Sequence, residues 1–401
     1  MESMADDEFV YLDNNATTPL DPAVIEEMLP FLTRYYGNPS SGYAFAARAR
    51  KAVDLARERL AVLLGCAPSE IVFTSGGTES NNAVIHSALQ FEPHGKHVLT
   101  SAVEHSAVLR PCQDLEKHGC GVTFLGVDRQ GNVDLAELEA AIRPETALVS
   151  MMWANNETGV LFPVQKIAEL CRRKGVLFHT DAVQAVGKIP IRLRETAINF
   201  LSLSTHKFHG PKGVGALYVN GRTRFDSLIA GGGQENGRRG GTENVAGIVG
   251  LGKAAELAAK YLAEGKGSVH SMRDQFETAI LESVSGASVN GAGALRIPNT
   301  SSLSFEGIES PAALLLLDRH RICCSAGSAC RTGSQEASHV LRAMNPGGDG
   351  ARRSLRFSFG RFNTEAEIDR AIEIVPKVIE KLRQMAPLMQ GSGVSPVATV
   401  P

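Results

Sequence analysis

Residues 71–80 read IVFTSGGTES, a short apolar run that passes through two glycines into a polar stretch. The run predicts a buried strand, and the glycine pair predicts a tight turn into a helix. Glycines let the backbone approach an anion closely, and the free N–H groups at a helix start favour negative charge. The segment is not a Walker A loop, because no Gly-Lys-Ser/Thr sequence closes it. Taken alone, it fits either an anion-binding turn or a plain strand-to-helix connection.

Strands and helices alternate on both sides of this segment, between about residues 70 and 220. The predicted strands are nearly continuous apolar runs, as expected of strands buried on both faces. Helical spacing separates them at residues 106–118, 135–142 and 164–174. The alternation predicts an α/β fold with a mostly parallel sheet covered on both sides. The predicted strands are residues 71–74, 97–101, 122–127, 147–153, 176–180, 200–203 and 215–219.

The pattern changes after the sheet, where strands and helices of a smaller α+β unit follow two long helices. We therefore expect a large domain at residues 20–262 and a small domain made of residues 1–19 and 263–401. Asp21 before Pro22 fits the start of the first helix. The predicted elements outside the sheet are helices at 22–35, 45–64, 244–262, 271–283, 312–319 and 365–385, and strands at 301–305 and 354–358.

The composition is that of an ordinary globular protein. Of the 401 residues, 43% are hydrophobic and 21% are charged. The formal net charge of -2 provides no overall field that would attract nucleic acid or anionic membranes. No apolar run is long enough to span a membrane, and the acidic N-terminus lacks the pattern of a secretory signal. These observations predict a cytoplasmic protein with a small-molecule substrate and with no nucleic-acid or membrane partner.

The chain has seven cysteines, an odd number that argues against a disulfide framework. No Cys-x-x-Cys or His-Glu-x-x-His pattern occurs, so no metal site is predicted. Cys330 lies among small residues in the stretch ICCSAGSACRTGS at 322–334, which can bring a thiol into a cleft. Arg331 beside it favours the reactive thiolate. We expect Cys330 to be reactive, and Cys323 and Cys324 to be small apolar residues.

Two polar residues follow predicted strands. Lys207 comes after the apolar run 200–203, where poor solvation favours the uncharged amine that Schiff-base chemistry needs. The alternative is that Lys207 is an ordinary solvated lysine in a loop. Lys212 is a second lysine that could form the Schiff base, although its position in a Gly/Pro-rich loop predicts more exposure. Asp181 follows the run 176–180, at the edge where parallel sheets bind ligands. An aspartate at this place can also cap a helix.

These elements, in this order, resemble the NifS/IscS-type cysteine desulfurases, a branch of the class V aminotransferase-like enzymes that use pyridoxal 5′-phosphate (PLP). The resemblance extends from about Tyr11 to about Met385, and it is nearest to the NifS side through MWANNETG at 152–159. It implies the PLP-dependent transferase fold of type I. The other motifs that carry it are YLDNNATT at 11–18, GNPSS at 37–41, GGTES at 76–80, EH at 104–105, DAVQ at 181–184, STHK at 204–207, RRGGT at 238–242, GSAC at 327–330 and RFSFGR at 356–361.

The resemblance implies a role for each matching position. Lys207 holds PLP as a Schiff base and then moves protons, and Cys330 receives the sulfur. Asp181 pairs with the pyridine nitrogen, Gln184 with the ring hydroxyl, and His105 stacks on the ring face. The remaining implied positions are Gly77, Thr78, Ser204 and His206 around the phosphate, Thr242 at the phosphate of the neighbouring subunit, Asn156 beside ring and substrate, and Arg356 with Asn38 at the substrate carboxylate.

The implied reaction converts L-cysteine to L-alanine and leaves a persulfide on Cys330, which a sulfur-acceptor protein such as an iron–sulfur scaffold collects. The family also implies a homodimer, because its active sites lie at a subunit interface. The acceptor stays open among scaffolds for nitrogen fixation, scaffolds for housekeeping iron–sulfur cluster assembly, thiolation proteins and plain sulfide release.

Two residues depart from the usual wording of the family. Ala326 stands where the cysteine stretch usually has serine, and Thr205 stands where the lysine motif usually has glycine. Neither position carries a group that the chemistry needs. Selenocysteine lyase or another class V enzyme is an alternative within PLP chemistry, and Cys330 argues against an aminotransferase. A non-catalytic sulfur-carrier scaffold is the alternative of another class, and it would be expected to lack Lys207 or Asp181.

Overall fold

The computed structural model describes residues 9–91, 96–265, 267–326 and 338–391. Its strands are β1 (Val10–Tyr11), β2 (Ile71–Thr74), β3 (His97–Ser101), β4 (Gly121–Leu125), β5 (Thr146–Ser150), β6 (Leu177–Asp181), β7 (Phe200–Ser204), β8 (Gly215–Val219), β9 (Ala287–Val289), β10 (Thr300–Phe305), β11 (Ile322–Cys323) and β12 (Ser354–Ser358). Its α-helices are α1 (Pro22–Thr33), α2 (Ala44–Leu64), α3 (Gly77–Phe91), α4 (Ser106–Lys117), α5 (Leu135–Ala141), α6 (Val164–Lys174), α7 (Val245–Ala263), α8 (Ser268–Ser283), α9 (Ser310–Arg319), α10 (His339–Met344), α11 (Gly350–Arg353) and α12 (Glu365–Gly391).

A seven-stranded sheet forms the centre of the molecule, in the order β2-β8-β7-β6-β5-β3-β4. Strand β8 runs antiparallel to both of its neighbours, and the other pairs are parallel. The predicted α/β fold with a mostly parallel sheet is confirmed. Parallel strands joined by helices end at one edge of the sheet, so the residues that follow them meet there.

Each face of this sheet is covered by its own set of helices. Ile71 and Phe73 face the apolar cluster that includes residues of α2, α6 and α7. Val72, between them, faces the cluster that includes residues of α3 and α4. Successive side chains of a strand point to opposite faces, so a strand buried on both sides has to be apolar at every position. This is why the sheet strands are continuous apolar runs in the sequence.

A separate apolar cluster lies around the antiparallel sheet β12-β10-β9 and helices α8, α9 and α12. Val10 and Leu12, from the start of the chain, belong to this second cluster, and β1 pairs with β11. The grouping supports the predicted two domains, whose boundaries near residues 20 and 262 stay a prediction. Among the residues that the structure describes, no helix combines the length and the apolar character that crossing a bilayer requires.

Some helices and strands end at other residues than predicted. The reason is that the backbone hydrogen bonds that define an element and the apolar run that predicted it end at different residues. The run 147–153 is a strand only to Ser150, although the N–H of Trp153 still donates to the carbonyl of Asp181 at 2.9 Å. Helix α12 continues past residue 385 to Gly391. The short elements β1, β9, β11, α10 and α11 were not predicted, because so few residues show no periodicity. The predicted start of α1 is confirmed, since Asp21 accepts from the Ala23 N–H at 2.9 Å.

Candidate active site

A cavity of about 500 Å³ opens at the carboxyl ends of the parallel strands. Its lining comes from the turns after β2, β6 and β7, from the start of α4, and from β12 of the second sheet. Most of the residues that the sequence marked as site residues are therefore brought together. Those that line the cavity are Gly77, Thr78, His105, Asn156, Asp181, Gln184, Ser204, His206, Lys207 and Arg356.

The glycine turn after β2 forms one end of the cavity. Gly76 has a backbone φ of 149°, which side-chain-bearing residues rarely adopt. A side chain at Gly77 would place its Cβ 2.6 Å from Val183 Cγ2, so close packing against the turn after β6 requires glycine there. Helix α3 begins at Gly77, and its first turn lines the cavity with N–H groups that have no partner within the helix. Ser204 lines the same end. This arrangement suits a phosphate.

The last residues of β6 and β7 and the turns that follow them form a second side, here called the ring wall (Asp181, Gln184, Ser204, His206 and Lys207). Asp181 is buried, and its Oδ2 accepts from Asn81 Nδ2 at 2.7 Å while its Oδ1 accepts from the Val183 N–H at 3.0 Å. The aspartate thus stabilises a turn, and no helix begins there. Its carboxylate lies at the edge of the sheet, held by two donors, and points toward the cavity lining.

Lys207 and Gln184 share one backbone partner. Lys207 Nζ donates to the carbonyls of Asn15 and Ala16 at 2.7 and 2.8 Å. Gln184 Nε2 donates to the same Asn15 carbonyl at 2.9 Å. Lys207 ends a short turn after the buried strand β7, as predicted, and its amine is held against the N-terminal segment. Lys212 also lines the cavity, but from an exposed position in the next loop.

His105 both caps α4 and faces the cavity. Its Nδ1 accepts from the Ala107 N–H at 3.1 Å, which places the proton of the neutral ring on Nε2. His105 therefore does both: it caps the helix and it lines the cavity. Glu104, next to it, is fully buried, and burial raises the pKa of its carboxyl to about 8.

His206 is an uncharged member of the ring wall. Burial, reinforced by the positive charges of Lys207, Lys212 and Lys188, lowers its pKa to about 4. Its Nδ1 lies 3.1 Å from Thr17 Oγ1, and its backbone carbonyl accepts from the N–H of Thr18 at 2.9 Å. A neutral imidazole has one N–H group, which it can donate to an anion.

Arg356 comes from the second sheet and lines the cavity with Asn156. These two residues, with Asp13 and Ser325 behind them in the hydrogen-bond network, are here called the substrate wall (Arg356, Asp13, Asn156 and Ser325). Its side chain is only 2% exposed. Nη2 donates to Asp13 Oδ1 at 2.7 Å and Nη1 to the Asn156 carbonyl at 2.8 Å. Ser325 Oγ donates to the same Asp13 oxygen at 3.0 Å. The Asp13 carboxylate, which is half-buried, therefore holds the buried guanidinium in one orientation, and Arg356 is not a surface charge.

The residues present fit PLP. The cavity offers an amine, a carboxylate and an amide N–H for the aldehyde, the ring nitrogen and the ring hydroxyl, and a helix start for the phosphate. Among the described residues, the buried Asn156 Oδ1 has no hydrogen-bond partner. A buried oxygen at the cavity that lacks a donor indicates that a ligand supplies one.

Some predicted residues lie elsewhere. Asn38 is exposed in the turn before α2, where its Oδ1 accepts from the Ser40 N–H at 2.9 Å, and it does not line the cavity. Thr242 is exposed on the loop before α7. Cys330 and Arg331 lie outside the described residues. The roles of these residues stay predictions. Within the described ranges, no three His, Cys, Asp or Glu side chains come together as metal ligands would.

Three residues of the site were not assigned a role from the sequence. Asn15 and Asp13 belong to the quoted YLDNNATT segment, and both turn out to hold cavity residues in place. Asn81 lies four residues after Gly77 on a helix face that packs against the sheet. A buried asparagine on such a face is the signal that would have found it.

Comparison with known proteins agrees with this geometry. The family model of class-V aminotransferases matches residues 10–371. "Cysteine desulfurase 2" of Trichormus variabilis is 50% identical over 378 residues, which cover 94% of this chain and 95% of that protein. A cysteine desulfurase of Klebsiella pneumoniae is 49% identical over 392 residues, which cover 98% of each chain.

Solved structures show the same relationship. A structure described as a NifS-like protein aligns with a TM-score of 0.87 and 38% identity, covering 93% of this chain and all of the other. A structure of SspA in complex with cysteine aligns with a TM-score of 0.77 and 36% identity, covering 88% of this chain and 99% of the other. The chain belongs to the class-V aminotransferase family, in its branch of NifS-like cysteine desulfurases, as the sequence motifs predicted.

Proposed function

We propose that this chain is a PLP-dependent cysteine desulfurase that converts L-cysteine into L-alanine and transfers the sulfur to Cys330. One observation carries the proposal: a single cavity places the Lys207 amine, the Asp181 carboxylate and the Arg356 guanidinium around one space. Relatives that share about half of the sequence are cysteine desulfurases, and a solved relative is a complex with cysteine.

The ring wall and the glycine turn would hold PLP. Asp181 would pair with the ring nitrogen, Gln184 would donate to the ring hydroxyl, and His105 would cover the ring face. When bound, PLP supplies an electron sink for the carbon beside the substrate amine. Gly77, Thr78, Ser204 and His206, at and around the start of α3, would hold the phosphate.

Lys207 attaches the cofactor and moves the proton. Its Nζ donates to the carbonyls of Asn15 and Ala16 at the edge of the cavity. With the substrate bound, the Lys207 amine would take the proton from the substrate α-carbon. His105, whose neutral ring carries its proton on Nε2, is placed to relay protons beside it.

The substrate wall orients cysteine. Arg356 pairs with the substrate carboxylate, a bidentate geometry that a guanidinium matches better than an ammonium. Asn156 has a buried Oδ1 with no hydrogen-bond donor. We propose that this oxygen accepts a hydrogen bond at the boundary between the cofactor ring and the substrate. For Asn38, which lies outside the cavity lining, assistance at the carboxylate is proposed from the family resemblance alone. The Asp13 carboxylate keeps the guanidinium aimed into the cavity.

Cys330 receives the sulfur. Its thiolate forms an S–S bond with the substrate sulfur while the C–S bond breaks, and the released electron pair stays with the substrate carbon. Protonation of that carbon, together with return of the proton that Lys207 took from the α-carbon, gives alanine, and Cys330 is left as a persulfide. The neighbouring Arg331 favours the thiolate that this step requires.

The proposal is tested by measuring alanine and sulfide from L-cysteine, with selenocysteine as a second substrate. Cys330→Ser is expected to abolish sulfide release while the absorbance of bound PLP remains. Cys120→Ser is the matched control and is expected to keep full activity. Cys120 is a half-buried thiol that directly precedes β4, the strand at one edge of the central sheet. Full activity of Cys330→Ser would refute the role of Cys330, and turnover of selenocysteine alone would favour a selenocysteine lyase.

We also propose that the enzyme is a cytoplasmic homodimer that passes sulfur to an acceptor protein such as an iron–sulfur scaffold. Apolar side chains on and beside α1 and α2 are exposed, which supports burial against a second copy: Leu32 (64%), Tyr36 (76%) and Val62 (75%). Thr242 then reaches the phosphate site of the partner. Light scattering of the purified protein measures the mass, and a monomer would contradict the dimer.

A further inference from the structure

A second lysine lies behind the ring wall and takes no part in the chemistry proposed above. Lys188 follows Gln184 by four residues in the turn after β6. Its Nζ donates to Gln184 Oε1 at 2.6 Å and to Asn15 Oδ1 at 2.9 Å. Lys188 lines a separate cavity of about 200 Å³ next to Lys207, not the 500 Å³ cavity. It therefore reaches the active site through its partners.

We propose that Lys188 is a positioning residue that turns the Gln184 amide so that its NH₂ group, not its oxygen, faces the ring hydroxyl of PLP. An amide has an acceptor on one side and two donors on the other, and rotation by a half-turn exchanges them. Lys188 donates to Gln184 Oε1, so Gln184 Nε2 points to the opposite side of the amide. In the structure, Nε2 donates to the Asn15 carbonyl at 2.9 Å. The inference rests on the role of Gln184 given under Proposed function.

The partner of Lys188 is itself fixed in orientation. Asn15 Oδ1 also accepts from Asn299 Nδ2 at 3.1 Å, and Asn15 Nδ2 donates to Thr300 Oγ1 at 2.8 Å. Asn15 cannot turn its amide without losing both bonds. Its carbonyl in turn accepts from Gln184 and from Lys207. One asparagine thus connects Lys188 to the two groups that meet the cofactor.

The charge on Lys188 is not needed for this arrangement. Burial, followed by the positive charges of Lys207 and Arg356, lowers the pKa of Lys188 well below its usual value. The two hydrogen bonds use two N–H groups, and the uncharged amine has both. The orientation of Gln184 therefore holds in either protonation state, and an apolar residue of the same length removes it.

The test compares Lys188→Met, Gln184→Leu and the double variant in the complete holoenzyme. The measurements are the PLP dissociation constant and the pH midpoint of the absorbance of bound PLP. Lys188→Met is expected to weaken PLP binding roughly 5- to 10-fold, the effect of about one hydrogen bond, and to move the midpoint in the same direction as Gln184→Leu. The double variant is expected to match Gln184→Leu alone, because Lys188 acts through that amide. Lys166→Met, on the exposed face of α6, is the matched control.

The outcomes separate the two proposals. If Gln184→Leu changes neither quantity, the role of Gln184 is wrong and the inference fails with it. If Gln184→Leu changes both and Lys188→Met changes neither, only the inference is overturned. Additive effects in the double variant also overturn it. A purely structural lysine would lower the melting temperature without moving the midpoint.

Discussion

The ring wall and the substrate wall both contribute to one cavity, but they are built in different ways. Asp181, Gln184 and Lys207 follow two adjacent strands of the central sheet within one short part of the chain. Arg356 lies on β12, whose residues Leu355 and Phe357 belong to the second apolar cluster, and its carboxylate partner Asp13 lies more than 300 residues away in sequence. The first wall is made by strand ends, and the second exists only when two sheets meet. The difference predicts that cofactor binding and substrate binding can be damaged separately.

Removing the amine of the ring wall is expected to have the largest effect. Lys207→Ala should lower the rate of alanine formation at least about 10³-fold, since both the attachment of PLP and the proton transfer are lost. Borohydride should no longer fix PLP to the chain, which mass spectrometry of the peptide containing residue 207 would show. Lys212→Ala, at the other lysine of the cavity lining, should retain the fixed cofactor. Attachment of PLP at Lys212 would reverse the assignment.

Removing the guanidinium of the substrate wall is expected to have a smaller effect of another kind. Arg356→Gln should lower kcat/KM about 10- to 100-fold, as expected for hydrogen bonds to a charged group, and mainly through KM. The absorbance of bound PLP should remain as in the wild type, because the ring wall is untouched.

Asp13→Asn sharpens the same comparison. The amide keeps the shape of the carboxylate but holds the guanidinium without a full charge, so its effect on KM should be smaller than that of Arg356→Gln. A change in the absorbance of bound PLP in either variant would show that the two walls are not independent.

The same difference explains which parts of the molecule the sequence revealed. The central sheet and the positions of Asp181 and Lys207 follow from apolar runs and from the rule that parallel strands end at one edge. Arg356 could be placed only through the family resemblance, because nothing in the run SLRFS indicates that a second sheet buries it. The hydrogen bonds of Asn15 and Lys188 join segments more than 170 residues apart, and such pairs leave no periodic signal. Short elements such as β9 escaped prediction for lack of length.

The smallest effect on activity is expected beneath the ring wall, at Glu104. Its Oε1 accepts from Ser101 Oγ at 2.7 Å and from the Met152 N–H at 2.9 Å, and burial raises its pKa to about 8. The folded protein therefore keeps a proton that the unfolded chain releases above about pH 4.5. Its stabilising contribution is complete below that pH and is lost as pH rises toward 8, by up to about 5 kcal/mol.

Glu104→Gln retains an uncharged side chain of the same shape, so it should remove this dependence while changing activity less than about twofold. The free energy of urea unfolding at pH 6 and pH 9 measures it: relative to the wild type, the variant should gain stability at the higher pH. Glu116→Gln, at an exposed position of α4, is the control and should leave the difference between the two pH values unchanged. If Glu104→Gln loses as much stability as the wild type between pH 6 and 9, the alkaline sensitivity has another origin, and the carboxyl beneath the ring wall is charged in the folded enzyme.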